Sequence, residues 1–340
     1  MTLLRRLGTT GILSAVALIA PAQVAAQAWV PAKGEGAIAI AAQSMNVKKH
    51  LAGTVPKDAG QIDTYVLLGD LSYGLTDKIA VDLGVPLVTS KYQGGAGHPG
   101  TNIDDGTYRS TVTDFRMSVR YNITRKRMVL TPYIGTVVPS HGYQYYGHAA
   151  PGQRLREVQV GAFAAKLIAS GPLAGLFVSG RAGYGFVEQV ADMDMSHNRT
   201  SGDFEVGYFL TPSLRAFGIV SGQYTHGGID FPAAGMSALA PEHRFIHDII
   251  QQVHYVHAGG GVSYSISDSI DMFASFARLV TGRNGHALNR GITIGASWGF
   301  SRSKSNGNTT GGGAPSAEYA RLTGKKEGSL GRCICQKSAS

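Results

Sequence analysis

The chain has 340 residues and a formal charge of +9, spread unevenly: Arg5 and Arg6 carry +2, the segment beyond Phe300 carries +5, and the long body between them carries +2. A nearly neutral body offers no electrostatic case for nucleic-acid binding. With 46 glycines, only 16% charged residues and no later apolar run long enough to cross a bilayer as a helix, the composition excludes a helical membrane protein and points to a strand-built one.

The first stretch, MTLLRRLGTTGILSAVALIAPAQVAAQA, sets two arginines ahead of an apolar run from Ile12 to Ala20 and ends in small residues. This is the layout of a secretory signal peptide. We place it over residues 1–28, with cleavage before Trp29 or, alternatively, before Gln27. The apolar run is short and meets Pro21, which disfavours a membrane anchor.

Strand periodicity begins after it. In the hairpin around SYGLTDKIAVDLGVPLV, Tyr65, Leu67, Leu71 and Tyr73 share one face, and Ile79, Val81, Leu83, Val85 and Leu87 share the matching face of the return strand. Twelve strands are predicted, near 34–47, 62–73, 79–92, 111–123, 129–142, 156–169, 175–188, 201–210, 214–226, 248–265, 270–282 and 289–300. Short turns alternate with longer polar loops along the whole body, as in outer-membrane barrels with short periplasmic turns and long outer loops. The fold expected over 29–300 is therefore all-β: a transmembrane, antiparallel, up-and-down β-barrel.

The polar face of each strand must then point inward, because a charge on the lipid face near the bilayer midplane costs a few kcal/mol. This makes Asp70, Asp82, Asp114, Arg116, Arg120, Arg181 and Glu205 the lumen-facing candidates. They could line a charged translocation path, or fill the interior as a structural ion-pair network. Lys166 and Arg278 fall where the alternation is less clean, which suggests a bulge or a shifted register.

GITIGASWGF, ending at Phe300, has alternating Ile292, Ile294, Ala296, Trp298 and Phe300 and is expected to close the barrel against GEGAIAIAAQS. The last residues, 301–340, are rich in Ser, Gly and Lys and cannot bury enough apolar surface to fold alone, so a disordered tail is expected. Cys333 and Cys335, two residues apart, make a poor disulfide and a poor metal site.

Other chemistry is thin. His243 and His247 are four apart in a long loop, a spacing that would suit zinc on a helix, but a solvated polar loop accounts for them better. His254 and His257 are on opposite faces of one strand. No strand shows a Ser and a His arranged as nucleophile and base, and the glycines of AGGGVSYS lack the lysine and helix of a phosphate loop. No enzyme activity, cofactor or metal is expected.

YGLTDKIAVDLGVPLV, LTPYIGTVVPSHGY, Gly282-Arg283-Asn284 with His286, and ITIGASWGF resemble the meta-pathway of phenol degradation family of outer-membrane barrels. The resemblance covers roughly 34–300. It implies a location in the outer membrane and passage of small, often hydrophobic solutes. It also implies that the terminal strand ending at Phe300 is read by the outer-membrane assembly machinery. The expected partners are the lipid bilayer, that machinery and small solutes. The function expected is a passive channel, with a closed structural or surface-interaction barrel and a membrane-embedded lipid-modifying enzyme as alternatives.

Overall fold

A computed structural model describes residues 28–58, 60–95, 101–125, 128–190, 193, 195–230 and 246–301. Residues 1–27 of the expected signal peptide, His243, and residues 302–340 with both cysteines are outside the described residues.

Among the described residues fourteen strands form one sheet. They are β1 (Glu35–Ala52), β2 (Val55–Lys57), β3 (Gln61–Gly74), β4 (Ile79–Gln93), β5 (Arg109–Val112), β6 (Asp114–Tyr121), β7 (Val129–Pro139), β8 (Glu157–Leu167), β9 (Leu176–Val187), β10 (Arg199–Phe209), β11 (Leu214–Thr225), β12 (His254–Ser267), β13 (Ile270–Arg283) and β14 (Gly285–Ser301). Twelve of them close a ring in which each strand pairs antiparallel with its neighbour in the chain, and β14 returns to β1 with Phe300 opposite Gly36. Closure leaves no open edge within the membrane band. β2 folds back on the end of β1, and β5 continues the line of β6.

The break between β5 and β6 has a local cause. Pro86 on β4 has no N–H to give, and Thr113 sits opposite it, donating its own N–H to the Pro86 carbonyl at 3.1 Å. One residue is inserted there, so the pairing resumes as Leu87 with Val112 on one side and Gly84 with Arg116 on the other.

Two short turns share one chemistry. In LTDKI the Thr76 hydroxyl accepts from the N–H groups of Lys78 and Ile79, at 3.2 and 3.0 Å. In LTPSL the Thr211 hydroxyl accepts from Ser213 and Leu214, at 3.3 and 2.9 Å. Each threonine supplies an acceptor for the N–H groups that a tight reversal leaves without ladder partners.

The wall is apolar outside. Ile40, Leu67, Val119, Phe204, Ile294 and Trp298 are each at least 40% exposed. No helix among the described residues is long and apolar enough to cross a membrane, and this band of exposed apolar side chains is carried by strands. Lys166 and Arg278 also belong to the outer face. Lys166 is the penultimate residue of β8, at the rim, where a long side chain can reach the interface. Arg278 is near the register shift between Val256 and His257 of β12. Neither breaks the alternation; both are outward residues.

One predicted boundary is corrected. The stretch 248–253 is not strand: His247–Ile250 form a helical turn, and β12 starts at His254. Ile249 and Ile250 look like strand residues in sequence but bury themselves against Val190 and Ile229 in a small cluster at the long-loop end.

Candidate functional site

The interior has two parts. The half nearer the short turns is filled, whereas the half nearer the long loops holds a chamber.

The filled half is built largely of aromatic rings laid on glycines. Phe177, Phe217 and Phe273 point inward and are at most 9% exposed. A Cβ on Gly261 would come within 2.7 Å of the Phe217 ring, and one on Gly295 within 2.5 Å of Phe273; Gly207 stands in the same relation to Phe177. These inward glycines give the rings their space. Arg215 packs over Phe177 and Phe217, at 4.7 and 5.1 Å from the ring centroids, and faces Glu205 at 3.5 Å.

The first described residues close the same end. Trp29 enters the lumen and packs with Val129, Tyr133, Phe163 and Ala165. Its neighbours are held through their carbonyls. Thr131 Oγ1 donates to Ala28 O at 2.7 Å, Arg120 Nη1 to Trp29 O at 3.3 Å, and an Arg125 amine to Val30 O at 2.5 Å. A segment with no strand partner thus has its acceptors satisfied by wall side chains. Arg120 is held on its other side by Asp82, with two hydrogen bonds of 2.7 Å, and by Ser72 at 2.7 Å.

Above this plug is a chamber of about 270 Å³. Loop residues 150–155 cover it from the long-loop side. The cover is tied down by the Tyr143 hydroxyl, which donates to Asp114 at 2.5 Å, and by Arg199, which donates to Gln153 at 3.0 Å. Burial first, and then the neighbouring Asp114, raise the Tyr143 phenol above its ordinary range, so it stays a donor. One side of the chamber is apolar (Met45, Val66, Pro86, Val88) and the other is polar (Ser201, Ser221, Gln223, Tyr255).

The residues expected to face the lumen fall in separate places and do not form one path. Asp82 and Arg120 belong to the plug. Glu205 is 1% exposed, beside Arg215 in the aromatic half. Asp114, Arg116 and Arg181 line the chamber. Asp70 meets Arg116 at 3.6 Å, without a hydrogen bond, and Arg181 meets Asp203 at 2.5 Å. Glu157 with Arg199 forms a further tight pair that the sequence reading missed, as it missed Asp203 and Arg215. Asp203 is two residues from Glu205 in β10, so alternation alone could have found it.

The histidines make no metal site: among the described residues no group of three or more ligands is placed to hold an ion. His247 is buried and contacts Asp248 at 2.9 Å. His254 stacks on Tyr224 while His257 stacks on Tyr255. Just beyond the end of β7, Ser140 and His141 are in contact. Ser140 Oγ is 2.8 Å from His141 Nδ1, but it also donates to the Val112 carbonyl at 2.8 Å. Its single proton is committed there, so the imidazole is the donor in that contact and cannot serve as its base.

No family model and no curated protein matches the sequence. Among solved structures, the COG4313 outer membrane channel from Pseudomonas putida F1 aligns with a TM-score of 0.60 at 12% identity, covering 79% of this chain and 96% of that one. The NanC porin aligns at 0.45 and 13% identity, over 77% and 98% of the two chains. The P. putida toluene transporter TodX aligns at 0.36 and 10% identity, over 80% and 90%. The first of these shows a likeness of fold: the closed antiparallel ring of this chain aligns with that of an outer membrane channel.

Proposed function

We propose that this protein is an outer-membrane channel for small solutes, shut at its short-turn end in the conformation described. The observation that carries this reading is a chamber, polar on one side and apolar on the other, inside a wall whose outer face is apolar. Ion pairs alone would fill a lumen; they do not require a cavity roofed by a tethered loop. In this reading the short turns face the periplasm and the long loops face outward. The family resemblance in the sequence supports small, partly apolar cargo. Residues upstream of the barrel serve export, and the β14 end at Phe300, stacked with Tyr73 at 6.5 Å, is the signal for assembly.

The hold of Thr131 on the Ala28 carbonyl suits processing before Gln27 better than processing before Trp29. The intact mass of protein extracted from membranes distinguishes the two. Single-channel recording in planar bilayers tests the function. Stepwise openings are expected. A barrel that stays silent both as the full chain and after Trp29→Ala would overturn the channel.

A further inference from the structure

The charges around the chamber are not equivalent. Arg181 is matched by Asp203, and Arg199 by Glu157. Two inward residues of β6 remain, Asp114 and Arg116, one inward position apart, or about 7 Å along the strand. Arg116 makes no hydrogen bond among the described residues. Its Nε and Nη2 lie over the bare Cα of Gly84 toward Asp70, and the side chain is 34% exposed toward the chamber. Asp114 gives one oxygen to Tyr143, and its other, Oδ2, faces Gly152 of the cover, where a Cβ would stand 3.3 Å away.

Resting on the channel reading, we infer that the chamber is a binding site for small zwitterions with an apolar side group. Arg116 receives the carboxylate, Asp114 receives the ammonium, and Met45, Val66 and Val88 receive the apolar part. A lone anion would meet Arg116 only by approaching Asp70 and Asp114. A lone cation would pair with Asp114 but leave the Arg116 guanidinium with its single loose contact. A zwitterion satisfies both at once without adding net charge to a partly buried site, where unpaired charge is costly. The volume suits a solute the size of a small amino acid.

Calorimetric titration of the full-length protein in detergent tests this with three probes: L-valine, isobutylamine (valine without its carboxylate) and isovalerate (valine without its ammonium). Valine is expected to bind about tenfold more tightly than either fragment, the loss of one charge-assisted contact. Arg116→Gln and Asp114→Asn should each remove about that advantage. Lys166→Gln, on the outer wall, should leave it intact. The heat-dependent gel shift checks that each variant is folded.

Equal binding of the three probes, or no binding while the parent passes arabinose into liposomes, would overturn the zwitterion site and leave the channel standing. No binding together with no arabinose flux through either the parent or Trp29→Ala would overturn both. A binding advantage for valine that survives both β6 substitutions would overturn the assignment of these two residues.

Discussion

The guanidinium of Arg120 donates to the carbonyl oxygen of Trp29 across 3.3 Å, so the barrel wall holds the segment that shuts it. The contact joins residues 91 apart in sequence and makes the plug part of the lumen's own hydrogen-bond network.

Replacing Trp29 with Ala removes the largest side chain of the plug and leaves the twelve-strand ladder intact. Buried Trp→Ala changes typically cost about 3–5 kcal/mol, but here the loss falls on the docked segment. Openings in planar bilayers should become larger or more frequent, while the gel shift on heating is retained. Unchanged conductance would show that the aromatic half, not the segment, sets the block.

Arg116 and Arg120 share the inward face of β6 but should respond differently to replacement by Ser. The Arg120 side chain is 2% exposed and bidentate to Asp82, so its removal strands a carboxylate and should cost about 3–5 kcal/mol. Arg116 is 34% exposed and has one contact at 3.6 Å, so its removal should cost less than about 1 kcal/mol. Thermal unfolding followed by gel shift measures both, and equal losses would contradict the assignment of the two to different compartments.

His197, in the loop between β9 and β10, is 5% exposed beside the cluster of Val190, Ile229 and Ile250. Burial, aided by Arg199, holds its imidazole below the ordinary histidine range. The unfolded loop therefore binds a proton more readily than the packed one. The stability this neutral ring contributes is present above about pH 6.5 and declines as pH falls below it. Amide protection at 195–198, that is, exchange corrected for its intrinsic pH dependence, should be lower at pH 5 than at pH 7.5, and His197→Leu should flatten the difference. Identical protection at the two pH values in the parent would refute it.

Ile294 is 57% exposed at the middle of β14, and its neighbour Thr293 is 2% exposed and accepts from Gln43 at 3.0 Å. Ile294→Arg should cost about 2–4 kcal/mol and reduce the amount of folded protein in membranes. Thr293→Val should leave insertion near normal while removing the hydroxyl that accepts from the Gln43 amide. If both variants insert equally well, the outward band is not in contact with lipid.

Strand existence was legible because alternation and tight turns are local. LTDKI and LTPSL announce two of the reversals in their own residues. The helical turn at 247–250 was not legible, because Ile249 and Ile250 take their conformation from Val190 and Ile229 on another loop. Inward orientation followed from the lipid cost of charge, but partner choice did not. Whether Arg120 meets Asp82 or Arg116 meets Asp70 depends on register across β3, β4 and β6, and on a one-residue bulge at Pro86. The plug was invisible for the same reason: WVPAK has no period, and every group that holds it comes from elsewhere in the chain.

The plug also has a place in time. Residues 28–33 lead directly into β1 through Gly34, whose N–H bonds to the Gly74 carbonyl at 2.9 Å. The carbonyls of Pro31 and Ala32 crowd the bare Cα of Gly74, and Lys33 N donates to Asp77 at 3.0 Å. The later grips, Arg120, Arg125, Thr131 and Phe163, follow in chain order and end at β8. The ring is sealed by β14, the last strand, meeting β1. A chain that pairs its strands in order would seat its leading segment against a half-built, open trough and draw the remaining strands around it, so the cork is fitted before the bottle is finished.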